Sequence, residues 1–350
     1  MANSYRIGII GCGGMGRSHA RAWSKRPDAQ VVAAMDISTE AVQRLATEFD
    51  VPATYTDFEE MLARENLDIV SIPTWQGARP APTIAAARAG VKAILGEKPI
   101  AADLGGADDM LAACDQHQIK LVIGHQRRFT PAANEIRRLV QAGAIGEPRL
   151  VHHIAKPNAG LLNTATHAID SWRYYLSDPE TLWVMGQASR TTDRWERRSR
   201  CEDLCMGLVC FAGGARGLYE GDLPEPKVTM PEITGSEGKI ALGEGGKILL
   251  HQDGQAGWQE IDPPAVDTDQ YEELIQWIEG RIDTHRGNGH QARYTLEIMM
   301  GIFESMRTKN VVTMPLTRRD CALDTMVADG TLPVLKEGRY DLRAPFPEQQ

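Results

Sequence analysis

Two kinds of hydrophobic pattern divide the chain. From its start, short β-branched apolar runs alternate with stretches whose apolar residues recur at helical spacing. The runs at 5–10, 30–35, 68–72, 92–95 and 120–123 predict strands, and the stretches at 15–25, 39–48, 58–64, 82–89 and 107–117 predict helices. Thr56-Asp57 offers an N-cap for the helix at 58–64. Such alternation predicts a parallel sheet covered on both faces, a doubly wound α/β domain.

The pattern changes after Gly146-Glu147-Pro148. A helical stretch at 161–176 precedes most of a set of longer strand-like runs at 149–155, 182–188, 204–211, 216–220 and 247–251, with further helices predicted at 269–284 and 292–308. Gly213-Gly214 between two runs signals a hairpin. The second region therefore reads as α+β, with a large open, mainly antiparallel sheet and helices on one face. The expected division is 1–124, 125–316, and a tail over 317–350 that packs back on the body. The sheet's other face needs covering, which predicts a homodimer or homotetramer.

Composition narrows the partners. At 350 residues the chain holds about two full-sized domains. A formal charge of −9 argues against nucleic acid or an anionic membrane as a partner. No apolar run approaches the ~20 residues of a membrane span, and the opening MANSYRIGIIGCGG lacks the layout of a secretion signal, so a cytoplasmic location is expected. The six cysteines are scattered; Cys201 and Cys205 are followed by no second ligand pair at zinc spacing, so no metal is expected.

Candidate chemistry begins at Gly11-Cys12-Gly13-Gly14-Met15-Gly16, a GxGxxG run between a predicted strand and a predicted helix. Gly11 suits a tight turn, Gly13 lets backbone approach a pyrophosphate, and Gly16 lets helix and strand pack closely. The helix N-terminus adds free N–H groups and a positive dipole end. A glycine-rich turn without nucleotide is the alternative, but the strand–helix context favours a Rossmann dinucleotide site. Asp36, 20 residues beyond Gly16, ends the second strand. A carboxylate there accepts ribose hydroxyls and repels a 2′-phosphate, and Ile37-Ser38-Thr39 brings no arginine to bind one, so the expected cofactor is NAD. Asp36 as a helix N-cap is the competing reading, but Ser38 already fills that place.

With AGVKAILGEKPIA the chain resembles the glucose–fructose oxidoreductase/inositol dehydrogenase (Gfo/Idh/MocA) family. The resemblance extends to Ser71-Ile72-Pro73-Thr74, Gly124-His125-Gln126-Arg127-Arg128-Phe129, Gly143-Ala144-Ile145-Gly146, LLNTATHAID and LEIMMGIFES. It implies an NAD-dependent oxidoreductase taking hydride from a secondary hydroxyl of a sugar, sugar derivative or cyclitol. Lys98, in the Glu97-Lys98-Pro99 string, would lie beside the nicotinamide and stabilise the reacting oxygen. His167 would take the hydroxyl proton. Thr74, Trp75, Glu97 and Gln126 would line the cofactor, and Gln126 would also reach substrate.

Asn163 and Asp170 lie at i−4 and i+3 from His167, which on a regular helix puts all three on one face. Many relatives have an aspartate where this chain has Asn163, which can orient a hydroxyl but cannot share a proton. That difference keeps open an NAD-dependent glycosidase working by transient oxidation and elimination with no net NADH. A non-catalytic sugar sensor is a third reading. Lys156 and Asn158 are candidates for substrate hydroxyls, and His19 for a supporting role. Arg79 suits either an anionic substrate group or a surface carboxylate. Arg127 and Arg128 are read as bracing the domain junction, and at most one of His152 and His153 can point into a cleft.

Overall fold

The computed structural model describes residues 4–155, 160–221, 229–266 and 268–346. The chain forms two compact units. The first comprises 1–101, 105–124 and 268–292; the second 102–104, 125–267 and 293–350.

In the first unit, β1 (Tyr5–Ile10), β2 (Ala29–Met35), β3 (Ala53–Tyr55), β4 (Ile69–Ile72), β5 (Ala93–Gly96) and β6 (Lys120–Ile123) make one parallel sheet in the order β3-β2-β1-β4-β5-β6. This is the doubly wound Rossmann order, with its switch point between β1 and β4. Burial on both faces explains the near-continuous apolar runs: β4 and β5 are buried at every position. The helix Gly14–Ser24 follows β1, and Thr39–Phe49 follows β2 with the Ser38 hydroxyl accepting from Ala41 N–H.

The division drawn from sequence placed 268–292 in the second domain, yet this segment packs in the first. Its helix Gln270–Ile278 buries Tyr271, Leu274 and Ile275 in the core formed by Ile7, Ile9, Trp23 and Leu95. Tyr271 meets Trp23 edge-on at 4.9 Å between centroids. The predicted helix over 269–284 therefore ends early, and Trp277 Nε1 donates to Asp283 O beyond it.

The second unit is a nine-stranded sheet with a small satellite. Its strands are β7 (Pro148–Ile154), β8 (Thr181–Ser189), β9 (Thr192–Glu196), β10 (Ser199–Arg200), β11 (Leu204–Phe211), β12 (Arg216–Gly221), β13 (Thr229–Gly235), β14 (Gly238–Leu242), β15 (Ile248–Gln252), β16 (Gln259–Ile261), β17 (Val312–Thr313) and β18 (Lys336–Asp341). The large sheet runs β16-β15-β14-β13-β7-β12-β11-β8-β17, antiparallel except for the β7–β12 pair. Gly213 and Gly214, both at positive φ, turn β11 into β12. One face is buried, with Ile302 filling the room left by Gly186 and Gly207. On the other face Leu204 and Met206 of β11 and Met185 of β8 remain exposed. The satellite sheet β10-β9-β18 was not anticipated. It draws the tail into the second unit.

Candidate functional site

The loops after β1, β2, β4 and β5 leave the carboxyl ends of parallel strands, the edge where doubly wound sheets hold ligands. Gly11 sits at φ 105°, a conformation that favours glycine. A Cβ on Gly16 would collide with the Gly11 carbonyl, so this glycine is required for helix and loop to touch. Gly13 is the N-cap of the helix, and a Cβ added there meets nothing within 4 Å. Gly13, Gly14 and Met15 are exposed around that open space. Bare backbone at a helix N-terminus facing open space fits a dinucleotide pyrophosphate.

Cys12 plays a different part from its neighbours. Its side chain is fully buried with Sγ against Met35 O at 3.3 Å, and its N–H donates to Asp36 Oδ2 at 2.6 Å. Burial first, then the Asp36 charge, pushes the thiol pKa up to about 12, so it stays protonated. Neither Sγ nor N–H of Cys12 is offered to a ligand. Asp36 Oδ1 accepts from Ser38 N–H at 2.9 Å. Both oxygens are thus oriented by backbone, and a carboxylate's spare lone pairs still allow ribose hydroxyls. Ile37 projects outward, 88% exposed.

Arg79 serves neither of the roles its sequence suggested. It is 1% exposed and donates to backbone carbonyls of Ile72 at 3.3 Å, Ile100 at 3.0 Å, and Thr74 and Pro99 at short range. Gly96 makes room for it: a Cβ there would stand 3.2 Å from Arg79 Cδ. One guanidinium therefore clamps the loop after β4, with Thr74 and Trp75, to the loop carrying Lys98.

Glu97 is turned inward. Its Oε1 lies 3.2 Å from Nε2 of fully buried His19, and Oε2 accepts from Lys98 N–H at 3.3 Å. Burial pushes the Glu97 pKa up, but the His19 hydrogen bond and charge, with Arg79 and Lys98, outweigh it and hold it below the usual carboxylate range. Gly124 leaves room beside it, since a Cβ there would lie a tight 3.0 Å from Oε1. Glu97 supports the loop from beneath, whereas Lys98 is half-buried and Trp75 is 45% exposed.

In the second unit the expected helix over 161–176 begins as a π-helical turn, Leu161–Ala165, before the α-helix Thr166–Tyr175. The regular helical period therefore relates His167 to Asp170 but does not extend back to Asn163, which lies in the π-helical turn. Asp170 is 1% exposed and takes a bidentate contact from Arg128, at 3.0 Å and 2.9 Å from Nε, plus Thr295 Oγ1 at 3.3 Å. His125 stands 3.2 Å from Asp170 and, through Nε2, 3.2 Å from Thr166 Oγ1. Burial raises the Asp170 pKa, but Arg128 and His125 overcome it and hold it low. Asp170 is thus a structural anion, and Arg128 spends itself on Asp170 and Asp178 within this unit.

Asn163 and His167 are both half-buried, and Asn163 Nδ2 donates to Glu196 Oε1 at 2.6 Å. Glu196 lies 33 residues away in a polar stretch that carried no signal. Gln126 is exposed. His153 faces the buried side of the sheet, its ring parallel to Tyr219 at 6.2 Å, while His152 points to the other face and meets Glu220 at 2.9 Å. Lys156 and Asn158 lie outside the described residues. Among the described residues no group of His, Cys, Asp or Glu is arranged for a metal, and no helix is long and apolar enough to cross a membrane.

Comparisons with known proteins agree with the geometry. Residues 5–125 match the sequence profile of an oxidoreductase family with an NAD-binding Rossmann fold. A D-apiose dehydrogenase of Paraburkholderia graminis is 26% identical over 277 residues, 74% of this chain and 73% of that protein. An inositol 2-dehydrogenase/D-chiro-inositol 3-dehydrogenase of Halalkalibacterium halodurans is 30% identical over 185 residues. That match spans 49% of this chain and about half, 53%, of the relative's length. Among solved structures, the WlbA dehydrogenase of Bordetella pertussis in complex with NADH and UDP-GlcNAcA superposes with a TM-score of 0.75 at 21% identity. That superposition covers 90% of this chain and 100% of the other, and shows the shared fold.

Proposed function

We propose that this chain is a member of the Gfo/Idh/MocA oxidoreductase family and an NAD-dependent dehydrogenase acting on a secondary hydroxyl of a sugar, sugar derivative or cyclitol. The observation that carries the reading is the Lys98 loop. A half-buried lysine leaves the carboxyl end of β5 on backbone clamped by Arg79 and underpinned by the His19–Glu97 pair, in a domain of the NAD-binding type. A cation carried on backbone held so firmly is suited to one oxygen atom rather than to solvent.

Gly11, Gly13, Gly14, Met15 and Gly16 would hold the pyrophosphate, Asp36 the adenosine ribose, and Thr74, Trp75 and Gln126 the nicotinamide half. NAD, when bound, supplies the hydride acceptor. Lys98 donates to the hydroxyl oxygen and stabilises the negative charge that grows on it as its proton leaves, charge that the forming carbonyl takes up as hydride departs from the carbon. His167 takes the hydroxyl proton, for which a neutral imidazole is suited near pH 7. Asn163 orients a neighbouring hydroxyl. The exposed apolar strip of Leu204, Met206 and Met185 is the surface on which we place a homo-oligomeric contact.

The test is incubation with NAD and a panel of free sugars, inositols and aryl glycosides. A sustained rise in NADH absorbance is expected with a free polyol. Aglycone release without NADH would instead mark a glycosidase, and tight NAD binding with neither would mark a sensor. Lys98→Ala and His167→Ala should each lower kcat by about a hundredfold or more while leaving NAD affinity intact. Near-wild-type turnover in either variant removes that residue from the mechanism.

A further inference from the structure

We infer that Glu196 is a positioning residue that fixes which end of the Asn163 carboxamide is presented to substrate. The inference rests on the reading of Asn163 as a substrate contact. Glu196 ends β9 and is 4% exposed. Its Oε1 accepts from Asn163 Nδ2 at 2.6 Å and from Arg343 Nε at 3.2 Å. An oxygen already paired with a guanidinium offers only lone pairs, so the amide must turn its NH2 toward Glu196. The carbonyl Oδ1 is thereby directed to the opposite side, as an acceptor for a hydroxyl.

The surroundings leave Glu196 little freedom to move. Gly160, which precedes the π-helical turn, is so close that a Cβ on it would lie 2.6 Å from Glu196 Oε2 and collide with Cys201 Sγ. The turn itself is held by buried Glu202, which accepts from Leu161 N–H at 2.6 Å. Arg343 is set by the tail: Asp341 Oδ1 accepts from the N–H groups of Arg343, Ala344 and Arg197, and Oδ2 from that of Arg198. The carboxylate missing at 163 thus stands one hydrogen bond away, on another strand. It polarises the amide, and Asn163 presents a more negative Oδ1 without gaining a transferable proton.

The experiment follows the side-chain amide of Asn163 by NMR with asparagine-selective 15N labelling, assigning its signal by its loss in Asn163→Asp. In Glu196→Ala, which removes the acceptor, the signal should move toward that of a solvent-exposed amide, and kcat on the polyol should fall about tenfold with NAD affinity unchanged. An unmoved signal overturns the inference whatever the substrate proves to be. A moved signal with wild-type kcat and KM also overturns it, because orientation would then not reach the chemistry. If wild type oxidises no polyol, the functional reading fails while the amide signal still decides the orientation. Asn163→Asp alone sets two carboxylates against each other and should lose activity, whereas Asn163→Asp with Glu196→Gln restores the bond in reverse and should recover part of it. This exchange keeps the test alive if Glu196→Ala fails to fold. A single Asn163→Asp variant as active as the pair overturns the inference.

Discussion

Two glycines three residues apart, Gly13 and Gly16, should fail in opposite ways when each is changed to alanine. At Gly16 the added methyl collides with the Gly11 carbonyl oxygen and stands 3.0 Å from its carbon, both backbone atoms that no rotamer change can move. The helix must recede by on the order of 1 Å to regain ordinary spacing. Overpacking of this kind costs about 3 kcal/mol, and the better helix propensity of alanine returns about 1, leaving ~2 kcal/mol of destabilisation. For the first unit melting as a domain of about 150 residues, that lowers Tm by about 4–8 °C. At Gly13 the backbone lies at φ −69°, open to any residue, and the methyl enters empty space. A weaker N-cap costs up to ~1 kcal/mol, offset by ~0.4–1 kcal/mol from a less flexible unfolded chain, so Tm should hardly move. The same methyl occupies the volume assigned to the pyrophosphate, and NAD affinity should fall about a hundredfold, or ~2.7 kcal/mol. Thermal melts without cofactor and calorimetric NAD titrations read the two effects separately. Wild-type NAD affinity in Gly13→Ala, or a wild-type Tm in Gly16→Ala, refutes the assignment of space on which the cofactor site rests.

Asp36→Ala should weaken NAD at least about tenfold, since Cys12 N–H loses its acceptor and the ribose its partner; adding Ile37→Arg should then raise NADP affinity, and an unchanged NAD/NADP ratio counts against the ribose role. Arg79→Met strips four buried carbonyls of a charged donor and should cost about 3–5 kcal/mol, read as a lower Tm together with a fall in kcat; a variant as stable as wild type would mean the clamp is slack. Burial, then Arg127 and His152, lower the His153 pKa to about 4, so the unfolded chain takes this proton first and the stability it confers is full above pH 6.5 and lost as pH falls toward 4. Between pH 7 and pH 5 this amounts to about 2 kcal/mol, and His153→Leu should flatten the corresponding change in Tm; an equally steep profile in the variant shows other groups to be responsible.

What the sequence revealed follows from which forces act locally. The parallel sheet was legible because strands buried on both faces must be continuously apolar, and the glycine loop because Gly11 answers to its own positive φ and Gly16 to the Gly11 carbonyl in the same loop. Fold class in the second unit was legible from alternation, with β11 reading exposed–buried from Leu204 onward. The return of 268–292 to the first core was not, since Tyr271 looks like any amphipathic-helix residue until Trp23 stands opposite it. The satellite sheet stayed hidden for a different reason. β9, β10 and β18 are polar, held by arginines over rings, with Arg339 3.8 Å from the Phe346 centroid and 4.4 Å from that of Trp195, and such pairs have no period.

The same distinction separates the candidate groups from what holds them. Lys98 and His167 were identified from their neighbours in sequence, whereas each rests on a buried polar assembly built from distant segments. Lys98 follows a carboxylate paired with a histidine 78 residues away, and Arg79 reaches forward to the loop beyond it. His167 lies on a helix whose Asp170 is gripped by Arg128, 42 residues earlier, and by Thr295, 125 residues later. Desolvating such charges rarely adds net stability, and an apolar cluster would serve a helix or loop at least as well for that purpose. Directional bonds do what apolar packing does not: they admit one orientation of the backbone that carries a reacting group. The buried ions are therefore best understood as fixing direction, and Glu196 beneath Asn163 belongs with them on the same physical ground.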